Sequence, residues 1–574
     1  MKMSINLNRT LRISAVLLAQ GVLVYGHFLG HSLFTVLAFI GFLAAFLVLS
    51  RGHFKLARQE KIIQARLKLE QRNTERRSGD WIKFEADGTE YVDATHPYSR
   101  DLDLFGENSL FQYLNDTNTQ YGKEILKLLF LTDKRDKTSV LRRQMAVKEI
   151  SVNQDFCEAL KITGILSKNI SQNPAEMVIF FESSSSLFAK YSTRLVVRLL
   201  PVVSALLVAL GFIVWFYYTG INSIVLNNVL LILAGVAVIT QVMVFVSLSH
   251  KTETVLKELS KFGSSLDDFG AMSNLIKKTT FTAELNQSWQ RKLPQKWNLK
   301  KMTWALSVRN ITLLDLVLNV LFLWDIHCVC VLEDMRRKDA KDMRIWLESI
   351  GYFEAMASVA ALPQQNPNWA YPEFGEGEEL AIKSENLGHP LIEEHDRITN
   401  SVNLNGISII SGSNMSGKTT FLRTVGINLI LGYIGAPVCA TQFQAPLVDI
   451  WTCMKPPDNL KQSISTFYAE LLRIKSIIDN EKPMLFLIDE IFAGTNSEDR
   501  VEGAKQVLLN LSKKQNLGLV TTHDLEVCKT EGFANYHFSE NYVDDEIYFD
   551  FKIKPDISTT RNARHLMRMI GIDI

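Results

Sequence analysis

The chain of 574 residues carries 62 Lys+Arg against 61 Asp+Glu, a net charge of +1, and is 47% hydrophobic. That length suggests about three to four domains with real cores, and the apolar content excludes a disordered chain. The charge balance excludes a globally basic binder of nucleic acid while leaving local patches open.

Mean hydropathy of +0.05 is high for a soluble enzyme and low for a polytopic transporter, which predicts separate soluble and membrane parts. From the N-terminus, Ile13 to Ser50 contains no Asp, Glu, Lys or Arg, and a second uncharged stretch runs from Leu199 to His250. One span takes about 20 apolar residues, so each block has room for two helices and a tight turn. The turns are expected at Gly26 to His31 and at Thr219-Gly220-Ile221-Asn222. A cleaved signal peptide competes for the first block, but the apolar run is far longer than an h-region and no small-x-small site ends it.

Lys2, Arg9 and Arg12 precede the first block, and Arg51 to Arg77, with nine Lys/Arg against three Glu, follows it. Arg194 and Arg198 precede the second, Lys251 follows it, and neither turn is charged. By the positive-inside rule both hairpins begin and end in the cytoplasm. The expectation is a multi-pass protein of the inner (cytoplasmic) membrane, touching lipid through four transmembrane helices, with every soluble part in the cytoplasm. The basic segment 51–77 reads as a helical stalk in contact with anionic lipid; a nucleic-acid arm is the other reading of the same charges.

The six cysteines are scattered and none forms a C-x-x-C. His327, Cys328 and Cys330 follow an apolar run, Leu313 to Trp324, that reads as a helix; positions i and i+2 diverge there, so these residues read as core rather than as metal ligands.

The most specific chemistry begins at a short β-type run, Ile407 to Ser411, followed by Gly412-Ser413-Asn414-Met415-Ser416-Gly417-Lys418-Thr419. This fits G-x-x-x-x-G-K-[ST] between a strand and a helix that opens at Thr420. The two glycines let the backbone wrap phosphates so that amide N–H groups face the anion at a helix N-terminus. Lys418 is expected to reach the β- and γ-phosphates of ATP and Thr419 to ligate Mg²⁺, with residues Gly412 to Thr420 forming the nucleotide cradle. Some 70 residues on, the apolar run Met484 to Ile488 ends in Asp489 and Glu490. Asp489 is the second Mg²⁺ ligand through water, and Glu490 the general base. A third strand, Leu517 to Thr522, delivers His523, read as a γ-phosphate sensor. Three strands separated by helical stretches give a parallel α/β sheet with its ligand at the strands' C-terminal ends.

These residues resemble the ATPase domain of the MutS mismatch-repair family. The Asn414-Met415 pair, the segment Asp458 to Glu470 with its Ser465-Thr466-Phe467, the stretch Asp489 to Asn496, the entry Gly388-His389-Pro390-Leu391 with Asn400, and the tail Phe551 to Pro555 with Asn562-Ala563 all match its pattern. Upstream, Ser109 to Asn115, Thr119 to Lys123 and Arg143 to Val147 look like the entry to the family's helical core. The resemblance implies an α/β P-loop ATPase domain (MutS/ABC-like) placed C-terminal to an all-α MutS-type core, here with two transmembrane hairpins. The expected layout is a hairpin at 1–50, a basic stalk and linker at 51–95, a helical core and lever domain at 96–385 with a hairpin inserted at 199–250, and the ATPase at 386–574. It also implies ATP and Mg²⁺ as cofactors, DNA as a partner, and a homodimer in which Ser465 completes the partner's ATP site. Ser463 stands where relatives usually carry Gly.

Family members of known type begin with a mismatch-reading domain bearing a Phe-x-Glu wedge, then a connector; the residues before 96 leave room for neither. Phe105/Glu107 and Phe180/Glu182 spell F-x-E inside the helical core, where chance accounts for them among 32 Phe. Two functions follow: a membrane-tethered MutS-like ATPase that binds DNA, through basic runs such as Lys134-Arg135, Arg142-Arg143 and Arg336-Arg337-Lys338, and a membrane mechanoenzyme using the same switch without nucleic acid. In both, lever helices at about 150–195 and 251–330 run into the bilayer where relatives carry a DNA clamp.

Overall fold

The computed structural model describes Leu18 and residues 32–557, apart from 132–135, 168–173, 184–186, 189–190, 218–220, 294–304, 306–308, 310–311, 376–379, 455–465, 493–495 and 544–545. Its N-terminal part is helical. In chain order the helices are α1 (Ser32–Arg77), α2 (Leu110–Leu114), α3 (Gln120–Leu131), α4 (Lys137–Val152), α5 (Gln154–Leu166) and α6 (Pro174–Glu182). They continue with α7 (Tyr191–Tyr217), α8 (Ile221–Lys278), α9 (Glu284–Arg291), α10 (Thr312–Phe322), α11 (Trp324–Val359) and α12 (Ala361–Gln365). The 36-residue α11 is the axis of this part, packing on α3, α6 and α8. Its buried face (Trp346, Leu347, Ile350, Phe353, Met356) closes a core with Phe156, Phe269 and Phe281.

The C-terminal part holds two sheets. A four-stranded sheet runs β1 (Glu373–Gly375), β5 (Gln442–Pro446), β2 (Ala381–Leu387), β3 (Asn400–Asn405). A six-stranded sheet has the order β10 (Glu546–Pro555), β9 (Ala534–Val543), β4 (Ile407–Ser411), β8 (Leu517–Thr522), β7 (Met484–Ile488), β6 (Asp449–Cys453). Every pairing from β9 to β6 is parallel, and β10 returns antiparallel on β9. β4, β7 and β8 are buried along their whole length, as unbroken apolar runs in a helix-covered parallel sheet must be. Helices α13 (Lys418–Tyr433), α14 (Thr466–Asp479) and α15 (Ser497–Leu511) complete a mixed, helix-rich α/β architecture.

The membrane expectation needs correction. Among the described residues one helical stretch, Asn228–Lys278 of α8, is long and apolar enough to cross a membrane by length and composition, with 18% of its most apolar window buried. Two transmembrane hairpins, and lipid contact through four helices, exceed what these residues support. The first block's turn at 26–31 lies outside the described residues. From Ser32 the chain runs as one unbroken helix through the apolar 32–50 and the basic 51–77. The second block does fold back on itself, α7 packing along α8, with residues 218–220 of its turn outside the described set. Cys328 and Cys330 are buried, and no metal-capable cluster of His, Cys, Asp and Glu occurs among the described residues.

Candidate active site

Parallel pairing of β4, β8 and β7 brings three C-terminal strand ends side by side, and each delivers part of the site. After β4 the chain turns through Gly412 (φ 150°) and Gly417 (φ 103°) into α13. A Cβ on Gly412 would lie 2.8 Å from the Phe538 carbonyl oxygen, so the turn requires glycine there. Lys418 is buried and its Nζ donates to the loop's own carbonyls, Gly412 O at 3.0 Å and Ser413 O at 2.7 Å. Burial lowers the pKa of this ammonium, and Glu490, Asp489 and Glu540 oppose the shift. Ser416 is buried with no hydrogen-bond partner for its Oγ, a polar group left over inside the loop.

The carboxylates after β7 are held by hydroxyls. Thr419 Oγ1 donates to Asp489 Oδ2 at 2.7 Å, and Thr521 Oγ1 donates to Asp489 Oδ1 at 2.6 Å. The Glu490 N–H in turn donates to Thr521 Oγ1 at 2.8 Å. Glu490 has φ 51° and Phe492 φ 60°, a bend that turns the Glu490 side chain out of the strand line; the Phe492 N–H is received by the buried Glu470 at 2.7 Å. Glu490 Oε1 lies 2.7 Å from His523 Nε2 at the end of β8. Lys418, Thr419, Asp489, Glu490 and His523 are thus brought together from three segments.

The remaining expected site residues lie on or beside the same loop, where they are described. Asn414 and Met415 face solvent, Met415 87% exposed with φ 65°. Ser465 lies outside the described residues, as does the whole of 458–464. Thr420 and Gly417 line a cavity of about 240 Å³ beside the loop, walled by His389, Ile398, Phe421 and Phe551. Burial, with Arg423 and Arg397 nearby, lowers the His389 pKa to about 4, so this ring is neutral at pH 7.

Two contributors were not assigned roles from the sequence. Phe551 sits at a register shift in the β9–β10 hairpin, with φ 50°, and its ring edge lies 3.1 Å from where a Gly417 Cβ would be. A local irregularity of this kind re-aims a side chain, here over the phosphate loop. Asn400 fixes it, donating to the Phe551 carbonyl at 3.1 Å and accepting from the Ile553 N–H at 2.9 Å. Glu540 on β9 is buried and accepts from Ser413 Oγ at 2.6 Å. The tail pattern around Phe551 was visible in the sequence, but nothing marked Glu540.

The oxygen donors Thr419 Oγ1 and Asp489 Oδ2 suit a hard divalent cation such as Mg²⁺ held jointly with phosphate oxygens. Comparison with known proteins covers this part of the chain. Residues 408–572 match the family model MutS domain V. The DNA mismatch repair protein MutS of Aquifex pyrophilus is 33% identical over 217 residues, 36% of this chain and 25% of that protein. Those of Persephonella marina and Lachnoclostridium phytofermentans are 29% and 28% identical, over 39% and 47% of this chain and 27% and 31% of theirs. The chain therefore spans about a quarter to a third of the length of the relatives it matches.

Proposed function

We propose, from the premise that the chain is a MutS-family protein through its domain V, that it is a membrane-anchored ATPase whose ATP cycle is coupled to DNA binding. What supports the catalytic half is one observation: the hydrogen-bonded series Thr419–Asp489–Thr521–Glu490–His523 laid along the mouth of the phosphate loop. On this reading Lys418 exchanges the loop carbonyls for the β- and γ-phosphates of ATP, and the Ser416 hydroxyl gains the partner it lacks. Phe551 covers the nucleoside in the adjoining cavity. Glu490 polarises the attacking water, and His523, bonded to Glu490, reports whether a γ-phosphate is present. Thr419 and Asp489 hold Mg²⁺, which offsets the charge on the transferred phosphoryl group. Two protomers form composite sites, Ser465 reaching the partner's nucleotide.

Glu490→Gln tests the chemistry. It should retain ATP binding and lose turnover by roughly 10²- to 10⁴-fold, the usual contribution of a positioned base; unchanged turnover removes Glu490 from that role. DNA coupling rests on the relatives, which are named for DNA mismatch repair. The second reading, a membrane mechanoenzyme without nucleic acid, draws on the α7–α8 hairpin, whose apolar helix continues directly into the helical core. DNA binding by detergent-purified protein, with and without ATP across a salt series, separates the two. Steeply salt-dependent, ATP-modulated binding supports the first, and no binding at low salt supports the second.

A further inference from the structure

The long helical run at 312–359 is not continuous. It breaks at Leu323, which has φ 50° and separates α10 from α11. A break leaves carbonyls of one helix and N–H groups of the next without partners. Here side chains supply them. Gln241 of α8, 2% exposed, donates its Nε2 to the Val320 and Leu321 carbonyls, both at 2.7 Å. Asn319, 1% exposed, accepts from the Asp325 N–H at 2.8 Å, and its own amide donates to Asp315 at 3.0 Å. The charge of Asp325 is paired with Arg309 at 3.1 Å. Side-chain partners for the Val320 and Leu321 carbonyls and the Asp325 N–H are what a break needs where water is absent, while Gln241 Oε1 itself is left without a partner.

The depth of the break follows from two separate counts. Arg194 and Arg198, at the start of α7, pair with Glu333 and Asp334 of α11 at 2.5–2.8 Å, a charged girdle at the hairpin's mouth. Leu323 lies about ten residues before Glu333, or about 15 Å along the helix. On α8, Gln241 lies about ten residues before Lys251, the first charge after the apolar stretch, again about 15 Å. Half the hydrocarbon core of a bilayer is also about 15 Å. Gln241 and the break it binds sit at the same level, each about 15 Å from the charged end of the apolar span. Meanwhile α10 turns apolar side chains outward: Leu316 and Leu321 are each 54% exposed and Phe322 is 49% exposed.

We infer that α10 and the break at Leu323 are embedded in the hydrocarbon core beside the α7–α8 hairpin, as a half-helix ending near the bilayer midplane whose outer face is packed by lipid acyl chains. The inference rests on the hairpin being in the membrane, and it adds a third, discontinuous element. Asn319 and Gln241 face inward and Leu316, Leu321 and Phe322 face lipid, the division expected of polar groups at membrane depth. α11 then starts inside the bilayer and ends in the helical core, joining the two without an intervening loop.

The test uses full-length protein in phosphatidylcholine–phosphatidylglycerol vesicles, with nitroxide labels on Phe322→Cys, Leu316→Cys, Val236→Cys on α8, and Glu526→Cys as a water-exposed reference. The native cysteines are buried, and retained ATPase turnover certifies folding. Labels at 316 and 322 should collide with dissolved oxygen and be shielded from a water-soluble nickel chelate as strongly as the label at 236. If the chelate reaches 316 and 322 as freely as 526 while 236 stays shielded, α10 lies outside the bilayer and only this inference falls. If 236 is also reached, the hairpin reading falls with it.

Discussion

A single carboxyl on α11 sets a pH dependence of its own. Glu354 is fully buried and accepts from the Asn118 N–H at 3.0 Å, the Thr119 N–H at 3.3 Å and the Thr119 hydroxyl. Burial nonetheless pushes its pKa up to about 7, because three neutral donors do not replace the hydration of an ion. A carboxyl whose pKa is raised on folding adds its full stability below the unfolded value of about 4.3, and loses it as pH rises through about 7. Glu354→Gln keeps an acceptor and removes the titration. Melting temperatures at pH 5.5, 7 and 8.5 should therefore show the variant gaining on the wild type as pH rises. Parallel curves would mean that Glu354 does not titrate in this window.

At the scale of elements, α1 is fastened to the helical core by a buried cluster of charge. Arg76 pairs with Asp116 at 2.7 Å, Lys161 of α5 pairs with it at 2.6 Å and Arg72 at 3.0 Å. Burial works against an ionised Asp116, but the three cations outweigh it and hold the carboxyl well below the usual range. The sign is opposite to that of Glu354: this contribution is present above the unfolded value of about 3.9 and is lost only as pH falls below it. Asp116→Ala leaves buried cations uncompensated and should cost about 3–5 kcal/mol, the range for breaking a buried pair. The loss should be equal at pH 6 and pH 8 by denaturant unfolding; a change under 1 kcal/mol would show the cluster to be neutral in net effect. The same cluster marks a limit of legibility. Nine basic residues at 51–77 form a pattern that positive-inside reasoning assigns to the membrane surface, yet Arg72 and Arg76 turn inward because Asp116, some 40 positions away, receives them. Residue spacing carries the phosphate loop, Asp489-Glu490 and His523, since each ends a strand of one parallel sheet. It carries neither Glu540, supplied by a later strand, nor the break at Leu323, where the apolar run Leu313 to Trp324 looks continuous and the deciding partner is Gln241 of α8.

For the molecule as a whole, these joints form a physical connection between the proposed nucleotide site and the hairpin. Asp101 accepts from Thr452 Oγ1 at 2.8 Å and from the Met454 N–H at 2.9 Å, tying the residues before α2 to β6, the neighbour of the strand that ends in Asp489. Arg143 of α4 donates to the Tyr433 carbonyl at the end of α13 at 2.8 Å. The Asp116 N–H donates to Ser358 Oγ at 3.1 Å, at the far end of α11 from the girdle of Arg194, Glu333 and Asp334. Contact alone does not demonstrate coupling; a shift of one equilibrium by the other does. On the proposed reading that the hairpin lies in a bilayer, if ATP binding tilts α11 and the hairpin, bilayer thickness must alter ATP affinity, because coupling between two binding or solvation equilibria is reciprocal. Mismatch costs fractions of a kcal/mol per ångström, so acyl chains spanning several ångströms of thickness supply about 1–2 kcal/mol, or roughly tenfold in Kd. The measurement is ATP binding to Glu490→Gln protein, which prevents depletion by hydrolysis, in vesicles of 14- to 22-carbon acyl chains. An affinity that varies across the series, with an optimum at one thickness, is the expected outcome. A Kd constant from the thinnest to the thickest bilayer would leave the ATPase and the hairpin as neighbours on one chain with no energetic link between them.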